Sequence, residues 1–235
     1  MQANEILEEL KALGSDNIRN IYTNHGAKGT YWGVKIGDMK PIQKRIKKNY
    51  ELSKELYKSG VSDAMYFAGL IADEKKMTKT DLNQWAKTAT WHMISEYTVP
   101  WIAAESAHGW ELALEWIESK DEKIATSGWC TLSNVVALKK DEDLDMTMLR
   151  KLLQRVIKEI HKAPNYVRYA MNSYIISLGV YVTAFTEEAI EAGKNIGKVE
   201  VNMGNTACKV PSPEDYIAKV AARGSLGKKK KMARC

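Results

Sequence analysis

Clusters of lysine and arginine are the side chains whose type and spacing most clearly suggest a chemistry. Positive charges that recur at helical spacing can bind the phosphates of a polyanion without reading its sequence. Two such sets are present, with Arg168 after the second: Lys40, Lys44, Arg45, Lys47 and Lys48, then Arg150, Lys151, Arg155, Lys158 and Lys162. The same pattern also fits the solvated face of a surface helix, so both interpretations stay open at this point.

The net charge of +6 belongs to the carboxyl-terminal tail. Residues 223–235 contain no acidic residue and six basic ones, which are Arg223, Lys228, Lys229, Lys230, Lys231 and Arg234. Without those six, the 35 basic residues of the chain fall to 29 and equal its 29 acidic residues. Such a tail is expected to follow phosphates independently of sequence, and the alternative is a solubilising end.

Other site chemistries find little support in the sequence. Three cysteines, Cys130, Cys208 and Cys235, are widely spaced, which favours a reducing cytoplasm over a disulfide framework. The four histidines are scattered and no glycine-rich phosphate loop is present, so we expect neither a metal nor a cofactor. Apolar runs are too short to span a bilayer, and the start lacks the features of a signal peptide.

The elements that would position these side chains are helices. Candidate helix pairs start near Val61, Trp91, Glu122 and Asn165, at spacings of about 30, 31 and 43 residues. This repetition predicts an all-α fold, a HEAT-like or ARM-type α-solenoid of antiparallel helix pairs. The repeats are degenerate, which makes an irregular helical bundle the alternative. A short basic helix is also predicted from Pro41 to Asn49, because proline is tolerated in the first turn.

The carboxyl-terminal third departs from the helical pattern once. Residues 198–210 contain two short alternating runs around a glycine-containing turn, which predicts a small β-hairpin. Pro213 then begins a closing helix that ends near Ala222. We therefore predict one helical-repeat domain over residues 1–222, followed by the basic tail.

Several phrases, taken in their order along the chain, resemble the AlkD-type DNA alkylation repair family. The resemblance covers most of the chain and lies in these phrases: Asn24-His25-Gly26-Ala27 with Gly33-Val34, the helix pair around Trp85 and Trp91, Trp116-Ile117-Glu118-Ser119, and the block from Val199 to Lys209 with Asp215-Tyr216-Ile217. It implies a solenoid that cradles duplex DNA on a basic concave surface. Active members excise N3- and N7-alkylated purines without a metal, and a carboxylate and aromatic faces stabilise the positive sugar.

The catalytic pattern that this resemblance implies is incomplete here. Active members place an aspartate four residues after a tryptophan; the matching tryptophan is Trp91, but the fourth residue onward is Ser95. Glu96 is the nearest carboxylate and lies about 140° around an α-helix from Trp91. Trp101 and Glu105 offer a second, weaker pair with the four-residue spacing.

Two further positions of the family pattern also differ. Counting on from Trp116, the expected arginine falls on Thr126, and a second groove tryptophan falls near Ser173 or Tyr174. The aromatic platform is thus partly kept while the acid and the arginine are absent, which argues against efficient excision.

These observations predict a monomeric, cytoplasmic protein that binds duplex DNA without sequence specificity and is nucleoid-associated when bound. Excision of alkylpurines is left open, and a catalytically inactive homologue that binds DNA structures is the alternative. A helical-repeat scaffold for protein partners is the third hypothesis. Salt dependence separates DNA binding from a protein scaffold, because only phosphate contacts weaken steeply as salt rises.

Overall fold

A computed structural model describes residues 2–234, and this part of the chain folds into α-helices joined by short turns. The helices are α1 (Ala3–Ala12), α2 (Asp16–Asn24), α3 (Ile36–Ile46), α4 (Tyr50–Lys58), α5 (Ser62–Ile71), α6 (Lys79–Thr88), α7 (Val99–Glu105), α8 (Gly109–Trp116), α9 (Glu122–Leu138), α10 (Met146–Glu159), α11 (Asn165–Tyr181), α12 (Thr186–Ile196) and α13 (Pro213–Ala222). A π-helical turn, Ile94–Thr98, leads directly into α7. The prediction of an all-α fold is confirmed, and within residues 2–234 no helix is long and apolar enough to cross a bilayer.

The helices pair along the chain, and the pairs stack. The second helix of each pair packs on the second helix of the next, so that α5, α7, α9, α11 and α13 form a continuous row, which we call the inner row. The partners α4, α6, α8, α10 and α12 form the outer row. Three inner helices begin at Ser62, Glu122 and Asn165, at or next to the positions that the repeat spacing predicts.

Small residues let the inner row pack closely. All residues of α5 are buried, and Gly69 lies where a Cβ atom would come within 2.6 Å of the Thr98 side chain. Gly128 of α9 similarly faces the Ile117 backbone nitrogen, 2.8 Å from the position of a Cβ. Larger residues would push neighbouring helices apart, which explains the mixture of small and large apolar residues in these helices.

Ion pairs connect the outer row. Arg155 of α10 pairs with Glu118 after α8, and Arg150 pairs with Glu188 of α12 at 2.8 Å. Lys79 of α6 pairs with Glu111 of α8 at 2.5 Å. Part of the basic set on α10 therefore joins successive repeats on the outer layer.

The hairpin predicted for residues 198–210 is wrong, because the described chain contains no strand there. The segment is extended, but its backbone N–H and C=O groups form hydrogen bonds with other parts of the chain. The Asn165 amide donates to Asn202 O and accepts from Asn202 N, and Arg168 donates to Glu200 O. Asn205 N donates to Asn24 O. Because helix side chains and a neighbouring loop satisfy these groups, the two runs do not pair with each other.

The basic helix predicted from Pro41 begins earlier than expected. Helix α3 starts at Ile36 and contains Pro41 in its interior, and it ends at Ile46 before Lys47, whose φ is 62°. The hydrogen bond that Pro41 cannot make would reach the carbonyl of Gly37, in the exposed first turn. The carbonyl is left to solvent, which makes the proline tolerable.

Candidate functional site

A pocket of about 110 Å³ lies where the amino-terminal ends of three inner helices meet. Its walls come from residues 90–95, which lead into α7 through the π-helical turn, from the first turns of α9 and α11, and from the loop after α2. The lining residues are Gly26, Lys28, Thr90, Trp91, His92, Ser95, Glu122, Lys123, Thr126 and Tyr166. Polar residues stand at the start of each of these helical segments, and their side chains therefore line this edge of the inner row. Helix amino termini carry partial positive charge, so this edge favours hydrogen-bond acceptors and anions.

Trp91 and Ser95 share this pocket. The Trp91 ring is 5% exposed and packs on Tyr22 with ring centroids 5.3 Å apart, while its Nε1 finds no hydrogen-bond partner among residues 2–234. Ser95 is buried and its hydroxyl donates back to Trp91 O at 3.2 Å. The π-helical turn that contains Ser95 follows at once, and such turns are frequent at functional sites.

His92 and Glu96 form a buried pair beside the pocket. His92 Nε2 lies 2.9 Å from His25 O, and a carbonyl can only accept, so Nε2 carries a proton. His92 Nδ1 lies 3.4 Å from Glu96 Oε1, within ion-pair distance, but neither atom has a hydrogen-bond partner in the described chain. The imidazole ring stacks on Tyr166, with centroids 4.4 Å apart and planes 12° apart. Glu96 lies beside His92 and is not among the pocket-lining residues.

On the α9 side of the pocket, one side chain caps a neighbouring helix and another carries a hydroxyl without a hydrogen-bond partner. Glu122 Oε1 accepts from Tyr166 N at 2.8 Å and so caps the start of α11. One turn later, Thr126 is 1% exposed and its Oγ1 has no partner in the described chain. Lys123 donates to Ala89 O at 2.9 Å, whereas Lys28 is exposed. Unpaired donors, two lysines and helix amino termini together suit a ligand that accepts hydrogen bonds.

Tyrosines surround the buried carboxylate of Glu96. Burial, and then the Glu96 charge, raise the pKa of Tyr97 above its ordinary range and that of Tyr169 to about 12. Burial and Glu96 also raise the pKa of the Cys130 thiol. Tyr97 is 42% exposed and packs against Trp101 at 5.8 Å between ring centroids. All these groups stay protonated near neutral pH, so the tyrosines can donate hydrogen bonds or stack.

The other positions predicted from the family pattern lie outside the pocket. Tyr174 is fully buried, packs on Trp129 and donates to Leu149 O at 3.4 Å, so it does not face the pocket. Ser173 is half-buried on the same helix. Glu105 accepts a hydrogen bond from Ala233 N of the tail, which occupies this carboxylate.

The predicted phosphate-binding residues fall into two groups. Several already have protein partners: Arg45 with Glu9, Lys48 with Glu74, Arg150 and Arg155 with outer-row carboxylates, Arg168 with Glu200 O and Ala163 O, and Lys229 with Asp141. Exposed side chains without an ion-pair partner in the described chain are Lys40, Lys44, Lys47, Lys151, Lys158, Lys228, Lys230 and Lys231. Lys230 Nζ also lies 5.7 Å from the centre of the Tyr181 ring.

Reasoning from the sequence missed His92, Tyr166, Glu122, Lys123 and Lys28 as pocket residues. What four of these five residues share is their position in the repeat. Glu122, Lys123 and Tyr166 stand in the first turn of an inner helix, and His92 stands at the start of the segment that leads into α7. Because inner helices stack side by side, residues at equivalent helix starts meet, and this rule would have found all four.

Fold and pocket together define a helical-repeat protein whose ligand-facing edge consists of helix amino termini, aromatic rings and hydrogen-bond donors. A family model described as DNA alkylation repair enzyme matches residues 6–209. The chain therefore belongs to this family, as its phrases suggested.

Two curated relatives and one solved structure are similar to the whole chain. The relatives are uncharacterized proteins of Listeria innocua and Listeria monocytogenes, each 35% identical over 92% of this chain and 95% of the relative. The solved chain is described as "a new family of proteins related to the HEAT-like repeat DNA glycosylases with affinity for branched DNA structures". It is 36% identical, with a TM-score of 0.91 and complete coverage of both chains, which confirms the HEAT-like architecture.

Proposed function

We propose that this protein binds branched or distorted duplex DNA at the pocket edge of its inner row, without sequence specificity, and does not excise alkylated bases. The observation that carries this proposal is the chemistry of the pocket wall. It presents hydrogen-bond donors and aromatic rings, but no free carboxylate of the described chain lines it. Glu122 caps α11, and Glu96 is buried beside His92, outside the pocket lining.

DNA supplies the groups that this wall lacks. Phosphate oxygens and base edges accept hydrogen bonds, and unstacked bases near a junction can stack on exposed rings. Trp91 Nε1 and Thr126 Oγ1 are unpaired donors at the wall, and Lys28 adds a free positive charge. The affinity for branched DNA described for the solved relative supports the same class of ligand.

Excision needs a free carboxylate next to the sugar, and the pocket does not provide one. Departure of an alkylated purine leaves positive charge on the sugar, which a nearby free carboxylate would stabilise by a few kcal/mol. At the position four residues after Trp91, the hydroxyl of Ser95 is bonded to its own helix. We therefore expect binding without base release.

Binding is tested by fluorescence anisotropy with a synthetic four-way junction and a linear duplex of the same arm sequence. We expect tighter binding to the junction and a steep loss of affinity as salt rises, about −0.9 in log–log slope for each phosphate contact. Affinity that does not change with salt would sink the proposal and favour a scaffold for protein partners.

A charge-matched pair of variants locates the surface. Lys28→Gln removes a free lysine at the pocket, and Lys151→Gln removes an exposed lysine from the outer row. Lys28→Gln should reduce the salt slope by about 0.9, while Lys151→Gln should leave it unchanged. The opposite result would move the DNA to the outer row.

Base release is measured separately, in single turnover, on a duplex that carries one 7-methylguanine. We expect none above the spontaneous rate. Release that Glu96→Gln abolishes would show that the buried carboxylate takes part in excision, and the second half of the proposal would be wrong.

A further inference from the structure

The tail does not extend freely from the domain. Residues 225–234, which we call the strap, lie across the carboxyl-terminal edge of the inner row, opposite the pocket. Leu226 packs against the hydrophobic core of the second half of the chain, whereas Ala233 is 3% exposed and belongs to the core of the first half. The strap therefore spans both cores.

Main-chain and side-chain donors of the strap reach the last turns of three inner helices. Gly227 N donates to Val180 O of α11, and Lys230 N donates to Ala137 O of α9, both at 2.8 Å. Lys229 Nζ donates to Val136 O of α9 at 2.8 Å. Arg234 Nη1 donates to Gly69 O and Leu70 O of α5, at 3.0 and 3.1 Å.

These contacts have one physical reason. The last four carbonyls of an α-helix have no partner within the helix, and its carboxyl-terminal end carries partial negative charge. Parallel helices bring several such ends to one edge. A basic segment that crosses this edge supplies donors and positive charge to all of them.

Three carboxylates strengthen the contact. Arg234 Nη2 lies 3.1 Å from Glu74 and 3.7 Å from Glu105, and these three side chains are at most 15% exposed. Lys229 Nζ lies 2.8 Å from Asp141. Burial would raise the pKa of the Glu74 carboxyl, but a hydrogen bond from Lys48 and the charge of Arg234 bring it below its ordinary value.

We propose that the strap is a clamp that holds the carboxyl-terminal ends of α5, α7, α9 and α11 together and so fixes how these helices, and the pocket at their other ends, are arranged. In this assignment Lys229 and Arg234 act on the protein itself. Only the outward lysines of the strap are free for phosphates. The clamp does not depend on DNA binding, so its first two tests are made on the protein alone.

Hydrogen exchange on the unmodified protein gives the first test. The amides of Gly227 and Lys230 donate to inner-helix carbonyls, and the amide of Ala233 donates to Glu105. These three amides should exchange slowly, in step with the inner helices, while Lys231, which makes no such bond, exchanges faster. Uniformly fast exchange across residues 225–234 would overturn the clamp.

Three substitutions that each remove one positive charge give the second test. We expect Arg234→Gln to lower Tm by roughly 5 to 10 °C, because it removes one of the two cations that face the buried Glu74 carboxylate. Lys229→Gln should lower Tm by roughly 2 to 5 °C, because it removes the cation that faces the half-buried Asp141. Lys231→Gln, on the outward side, should change Tm by less than about 1 °C. Equal melting temperatures for the three variants would contradict the proposal.

DNA binding distinguishes the clamp from a phosphate contact. Because the charge of Lys229 is used by Asp141 and Val136 O, Lys229→Gln should leave the salt slope unchanged. A slope reduced by about 0.9 with an unaltered Tm would show that Lys229 binds phosphate and is not part of a clamp.

Discussion

The two ends of the inner helices are built in opposite ways. At the strap edge, free carbonyls of α5, α9 and α11 accept hydrogen bonds from residues 227–234, and each carboxylate there faces a basic side chain. At the pocket edge, Trp91 Nε1 and Thr126 Oγ1 are buried without a partner in the described chain, and the same holds for His92 Nδ1 and Glu96 Oε1, which lie 3.4 Å apart beside them.

The difference separates stability from recognition. A buried polar group without a partner costs about 1–3 kcal/mol, and a ligand that satisfies it is one reason for keeping it. The strap edge satisfies its groups internally and stabilises the stack. The pocket edge gives up some stability and keeps donors for an outside acceptor. Removing a paired group at the strap edge should therefore lower stability, whereas removing an unpaired group at the pocket edge should not.

The largest effect is expected at Glu74, on the strap edge. Glu74→Gln removes the negative charge that faces Arg234 and Lys48, and it leaves a largely buried guanidinium without its main partner. We expect a loss of about 3 kcal/mol in the free energy of unfolding, measured by urea denaturation. Glu142→Gln is the control, because Glu142 pairs with Lys140 on the surface at 69% exposure, where the loss should be under about 0.5 kcal/mol.

The pH dependence of this loss follows from the pKa of Glu74. Its folded pKa is below the ordinary value, so its stabilising contribution is complete above the unfolded pKa and disappears as the pH falls through the folded pKa. The unfolding free energies of wild type and Glu74→Gln should therefore converge in acid. A constant difference down to low pH would show that the carboxylate charge is not the cause.

An intermediate effect is expected at Glu122, which caps α11 at the pocket edge. Glu122→Ala removes the acceptor for Tyr166 N and should cost about 1 kcal/mol. Glu122→Gln keeps an acceptor oxygen and should recover most of that loss. If both variants lose the same amount, the charge of Glu122 matters and its hydrogen bond does not.

Local patterns in the sequence predicted the repeats but not the two edges. The starts of α9 and α11 follow from apolar periodicity and from Asp121 and Pro164 just before them. The strap was predicted as a phosphate-binding tail, because its composition is visible while its contacts are not: Arg234 reaches carbonyls 164 and 165 residues away. Similarly, the alternation in residues 198–210 could not reveal that Asn165 and Arg168 would take the place of a partner strand.

The candidate site, too, could be predicted from the sequence only in part. The spacing of Trp91 and Ser95 indicated a shared face, and both line the pocket. The π-helical turn could not be predicted, since no composition rule distinguishes five residues of π-helix from α-helix. Nor could the placement of His92 beside Glu96, since the His92 ring is oriented by His25 O in a loop far along the chain.

The smallest effect, and the one with the opposite sign, is expected at Thr126. Thr126→Val replaces a buried hydroxyl that has no partner in the described chain with a methyl group of similar size. Removing an unsatisfied polar group should leave stability unchanged or raise it by up to about 1 kcal/mol. Junction binding should weaken in the same variant, since a donor at the pocket wall is lost. Thr126→Ser keeps the hydroxyl and should preserve binding.

Both readouts of Thr126→Val are needed to decide the comparison. A stabilised protein with weaker junction binding would mean that the hydroxyl is kept for a ligand at a cost to the fold. A destabilised protein would mean that the hydroxyl already has a partner, such as a buried water, and that the pocket edge is as internally satisfied as the strap edge. The distinction between the two edges would then rest on Trp91 Nε1 and on the His92–Glu96 pair alone.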